Sequence, residues 1–303
     1  MRIDLNADVG EWSTGGALGQ NPTRAPQRVE DVRSGESALA PHHASMRGGD
    51  PALMRHITSA NVACGFHAGD PGAMRATVAL AQEHGVAVGA HPGFADLVGF
   101  GRRDMHLSPA EVEDLVLYQV AAIAGVAAAE GVRLQHVKPH GALYNMAARD
   151  AMLAAAIARA VAAFDRSLIL FGLPNSPLLH EAEKVGLPIA AEIFADRTYE
   201  RDGSLTSRRQ PGSVIHDPAQ VVDRAVQMVK SGRVKTTDGG EIPLRSDTMC
   251  LHGDTPGSAE LARRIRAALE ASGVTVAPFL TAAARDADRA SDSQLPITNS
   301  KHL

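Results

Sequence analysis

The chain has 303 residues, enough for one large domain or two smaller ones, and is 45% hydrophobic but only 4% aromatic, so its core must come from Ala, Val, Leu and Ile. A net charge of -4 gives no electrostatic reason to expect nucleic acid or an anionic membrane as partner. Two cysteines, Cys64 and Cys250, imply no disulfide framework, no apolar run is expected to span a bilayer, and the acidic N-terminus is no signal peptide, so the cytoplasm is the expected compartment.

Residues 2–8 alternate cleanly, with Ile3, Leu5 and Ala7 on one face and Asp4, Asn6 and Asp8 on the other, which predicts a strand with a strongly polar second face. Residues 13–49 are rich in Ser, Gly, Pro, Arg and Gln and have no period; they read as an irregular insertion, disordered by composition, and the His42-His43 pair there as a solvated loop. From residue 50 a rhythm sets in. Asp50-Pro51, Asp70-Pro71, Ser108-Pro109, Ser176-Pro177, Asp217-Pro218 and Thr255-Pro256 each place a capping residue before a proline, the signature of a helix start. Helix ends are expected at Gly85, Gly131, Gly186, Gly232 and Gly273.

Short apolar runs lie between these helices: 60–64, 86–90, 134–138, 168–171, 187–194 and 248–252. With the first strand they make seven, and 274–279 offers an eighth. Regular β-α alternation of this kind predicts an α/β fold with parallel strands, closed into a barrel or doubly wound. One catalytic domain is expected over residues 1–283, and residues 284–303, without period, read as a disordered tail.

The strand ends carry the functional signal. Asp8 ends the first; Cys64-Gly65-Phe66-His67 follows the second; His91 ends the third; Lys138 and His140 end the fourth. The sixth brings Glu192, Phe194 and Asp196-Arg197, the seventh His252-Gly253-Asp254, and the fifth only an apolar wall. In parallel α/β folds that end is where active sites form. Within Leu134–Asn145, period-2 counting puts His136, Lys138 and His140 on one face, with Tyr144 and Asn145 close behind.

No Walker loop, no Gly-x-Gly-x-x-Gly and no Gly-x-Ser-x-Gly elbow is present. Convergent Asp, His and Lys suit the activation of water and the stabilisation of an oxyanion. Two routes are open: Asp8 with two of His67, His91 and His140 holds a divalent metal, or Asp8 or Asp196 acts as general base while Lys138 and Arg197 hold a negatively charged group.

The segments Ile3–Glu11, Ser59–Asp70, Gly89–Pro92, His136–Asn145, Phe194–Arg197 with Tyr199, and Leu251–Asp254 resemble the 5-oxoprolinase A-subunit family, also called LamB/YcsF. The resemblance runs in order to about residue 280 and omits only 13–49. It implies a parallel β/α barrel of the glycoside hydrolase/deacetylase type, incomplete at seven strands. It also implies ATP-dependent opening of 5-oxo-L-proline, a small-molecule lactam, to L-glutamate, with partner subunits B and C and with ATP as cosubstrate. Carried onto matching positions, it makes Asp8 a base or metal ligand and His67, His91 and His140 ligands or proton-transfer groups. Lys138 would then stabilise the oxyanion or a phosphate, and Asp196 would orient a base or the ring nitrogen. Asn6, Tyr144, Asn145, Arg197, His252 and Asp254 would bind substrate, and any metal would fall to Asp8, His67 and His140. The departure from the family is the insertion, which leaves the catalytic end of the barrel and has a lid or a partner-docking element as its other readings. A metal-dependent deacetylase of acylated sugars and a non-catalytic scaffold that binds a small acid are the rival functions.

Overall fold

A computed structural model describes residues 1–12, 50–252 and 257–279. The insertion with its His42-His43 pair, Asp254, the Thr255-Pro256 helix start and the tail lie outside the described residues, as does the side chain of His252.

Strands β1 (Arg2–Val9), β2 (Ser59–Ala63), β3 (Ala87–His91), β4 (Leu134–Val137), β5 (Ile169–Gly172), β6 (Ile189–Phe194) and β9 (Thr248–His252) pair in parallel in that order. Pairing of β9 with β1, from Asp4 opposite Thr248 to Asp8 opposite His252, closes them into a seven-strand barrel. The expected eighth strand is the two-residue β10 (Thr275–Val276). It adds to Arg2 and Ile3 at the lower end of β1, below the β9 ladder, and so stays out of the ring. Beyond it, Phe279 packs on Ile169, Phe171 and Ala190.

Helices α1 (Asp50–Met54), α2 (Pro71–Glu83), α3 (Pro109–Ala129), α4 (Gly141–Ala147), α5 (Ala151–Phe164), α6 (Pro177–Lys184), α7 (Pro218–Ser231) and α8 (Ser258–Ala271) complete the alternation. The caps act largely as the sequence suggests. Asp70 accepts from the Ala73 amide, Ser108 and Glu111 form a reciprocal capping box, and Asp217 accepts from the Ala219 amide. One expectation needs correction: Ser176 makes no side-chain cap bond. The described part of α8 follows Gly257, at φ 83°. The hairpin of β7 (Arg233–Lys235) and β8 (Glu241–Pro243) has no counterpart in the strand pattern of the sequence, because three-residue strands show no measurable period.

No run of the sequence is expected to span a bilayer, whereas α3, at 21 residues and a mean hydropathy of 1.5, has both the length and the apolarity. Its inner stripe of Val112, Val116, Val120, Ile123 and Ala127 is fully buried in the shell between helices and barrel.

The barrel is apolar outside and polar inside. Ile3, Leu5 and Ala7 face the helices, whereas Asp4, Asn6 and Asp8 face the axis and bond other strands across it. Parallel strands that must bury both faces usually read as continuous apolar runs. Here the interior is a hydrogen-bonded ladder, and its fit leaves little space. A Cβ on Gly89 would fall inside the His136 ring, which stacks on Phe171 at 4.3 Å between centroids. Gly89→Ala is therefore expected to cost about 1–3 kcal/mol by overpacking, read as a lower urea midpoint at unchanged m-value. An unaltered midpoint would mean that His136 can leave its seat.

Candidate active site

The ladder is built in layers along β1. At its base Asp4 accepts from Thr58 Oγ1 at 2.6 Å, Ser59 Oγ at 2.7 Å and Thr248 Oγ1 at 2.5 Å, and burial raises its carboxyl above the ordinary range. One step up, Asn6 donates to Glu192 Oε1 at 3.0 Å and Thr248 Oγ1 at 2.7 Å and accepts from Asn61 Nδ2 at 2.7 Å. Its amide thus bonds across strands and holds the layers together.

His136 donates through Nε2 to Asn61 Oδ1 at 2.8 Å, and its Nδ1 has no partner among the described residues. Burial pushes this imidazole down to about 3, with the Lys138 charge acting in the same sense. The unfolded chain, where imidazole titrates near ~6.5, takes up the proton first. The resulting stability is whole above about pH 6.5 and is lost as pH falls toward the folded value, at up to about 1.4 kcal/mol per pH unit. Unfolding midpoints should therefore drop between about pH 7.5 and about pH 5, and His136→Gln should flatten that slope. Parallel slopes in the two proteins would refute the assignment.

At the next layer Lys138 reaches the axis. Its Nζ donates to Asp8 Oδ1 at 2.8 Å and contacts Glu192 Oε1 at 3.1 Å, with Cys250 Sγ at 2.9 Å. Burial opposes the charge, but the carboxylates of Asp8 and Glu192 around it raise the ammonium well above its ordinary range. The Cys250 thiol is raised too, by burial and then by Asp8, so it serves as a neutral neighbour. Glu192 is thus an ion-pair partner of Lys138.

At the mouth three imidazoles converge. His91 donates through Nδ1 to the Lys138 carbonyl at 2.7 Å, and His140 through Nε2 to the Phe100 carbonyl at 2.8 Å. Those bonds assign the tautomers and leave His91 Nε2 and His140 Nδ1 as lone pairs. The two lone pairs face each other at 2.9 Å. Two acceptors at that distance repel unless positive charge sits against both. His67 stacks on His140 at 3.7 Å between centroids and brings Nε2 to 3.3 Å from Glu11 Oε1. Burial lowers His67 and His140 well below the ordinary value, and the neighbouring imidazoles add to it, so both stand neutral.

Glu11, His67, His91 and His140 thus offer four ligand atoms within 4.8 Å of one another. Three imidazoles, two of them with tautomers fixed from outside, plus one carboxylate, are the donor set of a divalent transition metal. The facing lone pairs fit such an ion better than they fit an empty pocket. Beside Lys138 lies an apolar wall of Tyr144, Leu173, Phe194 and Cys250. The Tyr144 hydroxyl is buried there, raised well above the phenol range by burial first and then by the Glu192 charge.

Of the expected site residues, Asp8, His67, His91, Lys138 and His140 come together, and Tyr144 belongs to the wall beside Lys138. Of the expected metal set of Asp8, His67 and His140, the two imidazoles stand in the four-residue group together with Glu11 and His91, whereas Asp8 Oδ1 is held by Lys138 and Asn61 and its Oδ2 lies 3.4 Å from His91 Nε2. Gly10, at φ 70°, turns the chain after β1 and swings Glu11 inward; an acid straight after a strand-end glycine is the signal that marks it. Asn145 donates back to the Gly141 carbonyl at 2.9 Å, within its own helix. Arg197, expected to grip an anion, donates to the carbonyls of Thr206 at 2.6 Å and Ser213 at 3.3 Å, and burial draws its guanidinium down to about 10. It ties the segment after β6 back onto its own start. Asp196 stands beside it, and its charge is felt by Arg197, Tyr199 and Arg224.

The model of the LamB/YcsF family matches residues 36–284. The chain is similar to the 5-oxoprolinase A subunit of Bordetella parapertussis, 55% identical over 229 residues that cover 76% of this chain and 91% of that one. It is also similar to the 5-oxoprolinase A subunit of Rhodopseudomonas palustris, 54% identical over 280 residues, or 92% and 99% of the two chains. Among solved structures, a lactam utilization protein from Thermus thermophilus matches with a TM-score of 0.77 at 46% identity, covering 92% of this chain and 100% of that one.

Proposed function

This chain belongs to the LamB/YcsF family, and we propose that it opens the lactam ring of 5-oxo-L-proline as the A subunit of a cytoplasmic, ATP-dependent 5-oxoprolinase. The observation that carries this reading is the buried ammonium of Lys138, bonded to Asp8 directly beneath the histidine group and beside a small apolar wall. A five-membered lactam needs just such a place: an apolar seat for its methylenes and a fixed cation for the negative charge that develops on the oxygen added at its carbonyl carbon.

A five-membered lactam is a stable amide, so activation by phosphorylation of its oxygen must come first. With no Walker loop in the sequence, that step falls to partner subunits B and C, and the activated ring is opened here. Water adds to the ring carbon of the O-phosphorylated lactam, the C=N electron pair passing to the ring nitrogen, which is protonated. The added oxygen gives its first proton to Asp8, and Lys138 holds the negative charge left on that oxygen when the second has gone. The ring C–N bond then breaks as nitrogen takes up a proton, leaving an acyl phosphate that a second water cleaves to glutamate and phosphate. His91, 3.4 Å from Asp8 Oδ2, is placed to pass protons onward. Tyr144, Leu173 and Phe194 keep the ring away from bulk water. A divalent metal held by Glu11, His67, His91 and His140 would supply Lewis-acid polarisation of an oxygen.

The same metal-ligating group favours one other reading, hydrolysis of acylated sugars without ATP. Glutamate release from 5-oxoproline and ATP, by the chain alone and with B and C added, separates the two. Release only in the complete mixture is expected. Release by no mixture in which the complex forms, together with chelator-sensitive release of acetate from acylated sugars, would overturn the proposal.

A further inference from the structure

After β3 the chain crosses the mouth in a tight strap that ends at Arg103, and its conformation at Phe100 is unusual. Phe100 has φ 55°, in the left-handed region, where a Cβ crowds the backbone. The one other non-glycine there among the described residues is Asn175, a residue type that tolerates it. An aromatic residue holds that conformation only where its surroundings impose it.

The conformation aims the Phe100 carbonyl at His140 Nε2, 2.8 Å away. The Phe100 ring sets its edge against both His67 and His140, at 5.8 Å and 5.2 Å between centroids. Gly101 follows at φ 60°, and a Cβ there would stand 2.7 Å from His67 Cβ and 2.9 Å from His140 Cδ2. Its carbonyl accepts the Ala142 amide at 2.9 Å, joining the strap to the start of α4 just behind His140. The strap therefore rests directly on two of the three imidazoles.

What imposes the bend is Asp96. Its side chain accepts from the Gly99 amide at 2.9 Å and from Arg103 Nε at 2.9 Å, with Arg103 Nη2 as a further donor, while its backbone carbonyl accepts from the Gly101 amide at 2.9 Å. The Asp96 side chain is 2% exposed and that of Arg103 63%, so a nearly buried carboxylate is pinned from outside by a surface guanidinium. No bond of this pair reaches the histidine group; its effect on that group passes through Phe100.

We infer that the Asp96–Arg103 pair is a positioning device for a divalent cation held by Glu11, His67, His91 and His140. It clamps the strap so that the Phe100 carbonyl takes the Nε2 proton of His140 and leaves Nδ1 facing the centre. Without the clamp, Phe100 relaxes to negative φ, its carbonyl turns away, and His140 loses the bond that fixes its tautomer. The inference rests on the reading of that group as a metal centre. Outer partners of metal-bound histidines typically change affinity by about 10–100-fold.

The test uses the full chain with Co(II) alone as probe, following its visible absorption in competition with a chelating dye. Asp96→Asn and Arg103→Ala are expected to bind Co(II) about 10–100-fold more weakly and with an altered visible band. Asp217→Ala, which removes the cap of α7 and some stability, is expected to keep the affinity and the band of the unaltered chain. Should Asp96→Asn not fold, Arg103→Ala, whose side chain is mostly in solvent, carries the test. Binding by the folded variants with unaltered affinity and band would overturn the clamp while leaving the metal centre standing. Absence of Co(II) binding by the unaltered chain would overturn both.

Discussion

Lys138→Ala is expected to lower glutamate release by about 10²–10³-fold in the assembled enzyme, the usual loss when a fixed donor to a developing oxyanion is removed. Its position makes the effect large. The residue is 3% exposed, its ammonium is bonded to Asp8 and set against Glu192, and its backbone carbonyl orients His91. Truncation therefore does two things. It removes the charge that would meet the substrate oxygen, and it leaves two buried carboxylates facing each other with no cation between them.

The second effect alone costs on the order of 3–5 kcal/mol of stability, so rate and folding must be read apart. The double variant Lys138→Met with Glu192→Gln removes one of the two uncompensated charges, leaving Asp8 with its bond from Asn61, and should recover part of the unfolding midpoint. Its turnover should stay near that of Lys138→Ala, because neither new side chain carries positive charge. A folded double variant that works at a near-normal rate would take Lys138 out of the mechanism. Steady-state analysis sharpens the point: a loss in kcat larger than any rise in KM marks a group acting on the transition state.

Glu11→Ala is expected to weaken Co(II) binding by more than about 100-fold, beyond what the loss of an outer partner costs, and to lower turnover with it. Glu11 is the single carboxylate among the four gathered ligands, so its removal leaves three neutral imidazoles to hold a dication. Chelation of the unaltered enzyme should reproduce the loss of turnover, and metal added back should reverse it. Asp8→Asn supplies the comparison. Asp8 Oδ2 lies 3.4 Å from His91 Nε2, near enough to act as ligand if the carboxylate turned, but its other oxygen is held by Lys138 and Asn61. If Asp8→Asn abolished Co(II) binding and Glu11→Ala left it intact, the ligand set would revert to the one expected from sequence alone.

Sequence by itself determined the architecture and the end of it that matters. Six Xaa-Pro starts, the glycine stops and the apolar runs between them already spell a β-α alternation, since caps and period-2 faces depend on neighbours a few residues away. The alternation of Asp4, Asn6 and Asp8 foretold a polar barrel interior, and His67, His91, Lys138 and His140 were legible because each stands at or just past the end of a strand. Tertiary structure decided which atoms meet. Closure of the ring lays β1 beside β9. Only that closure brings Asn6 to Thr248, 242 residues away in sequence, and Lys138 to Cys250. The turn at Gly10 decided that Glu11 stands among the imidazoles. Arg197 looked like an anion grip and became a loop tie because Thr206 and Ser213 fold back over it. Period and capping are local properties of a chain; a ligand set is a property of how distant strand ends are brought to one mouth, and that is settled by closure and packing.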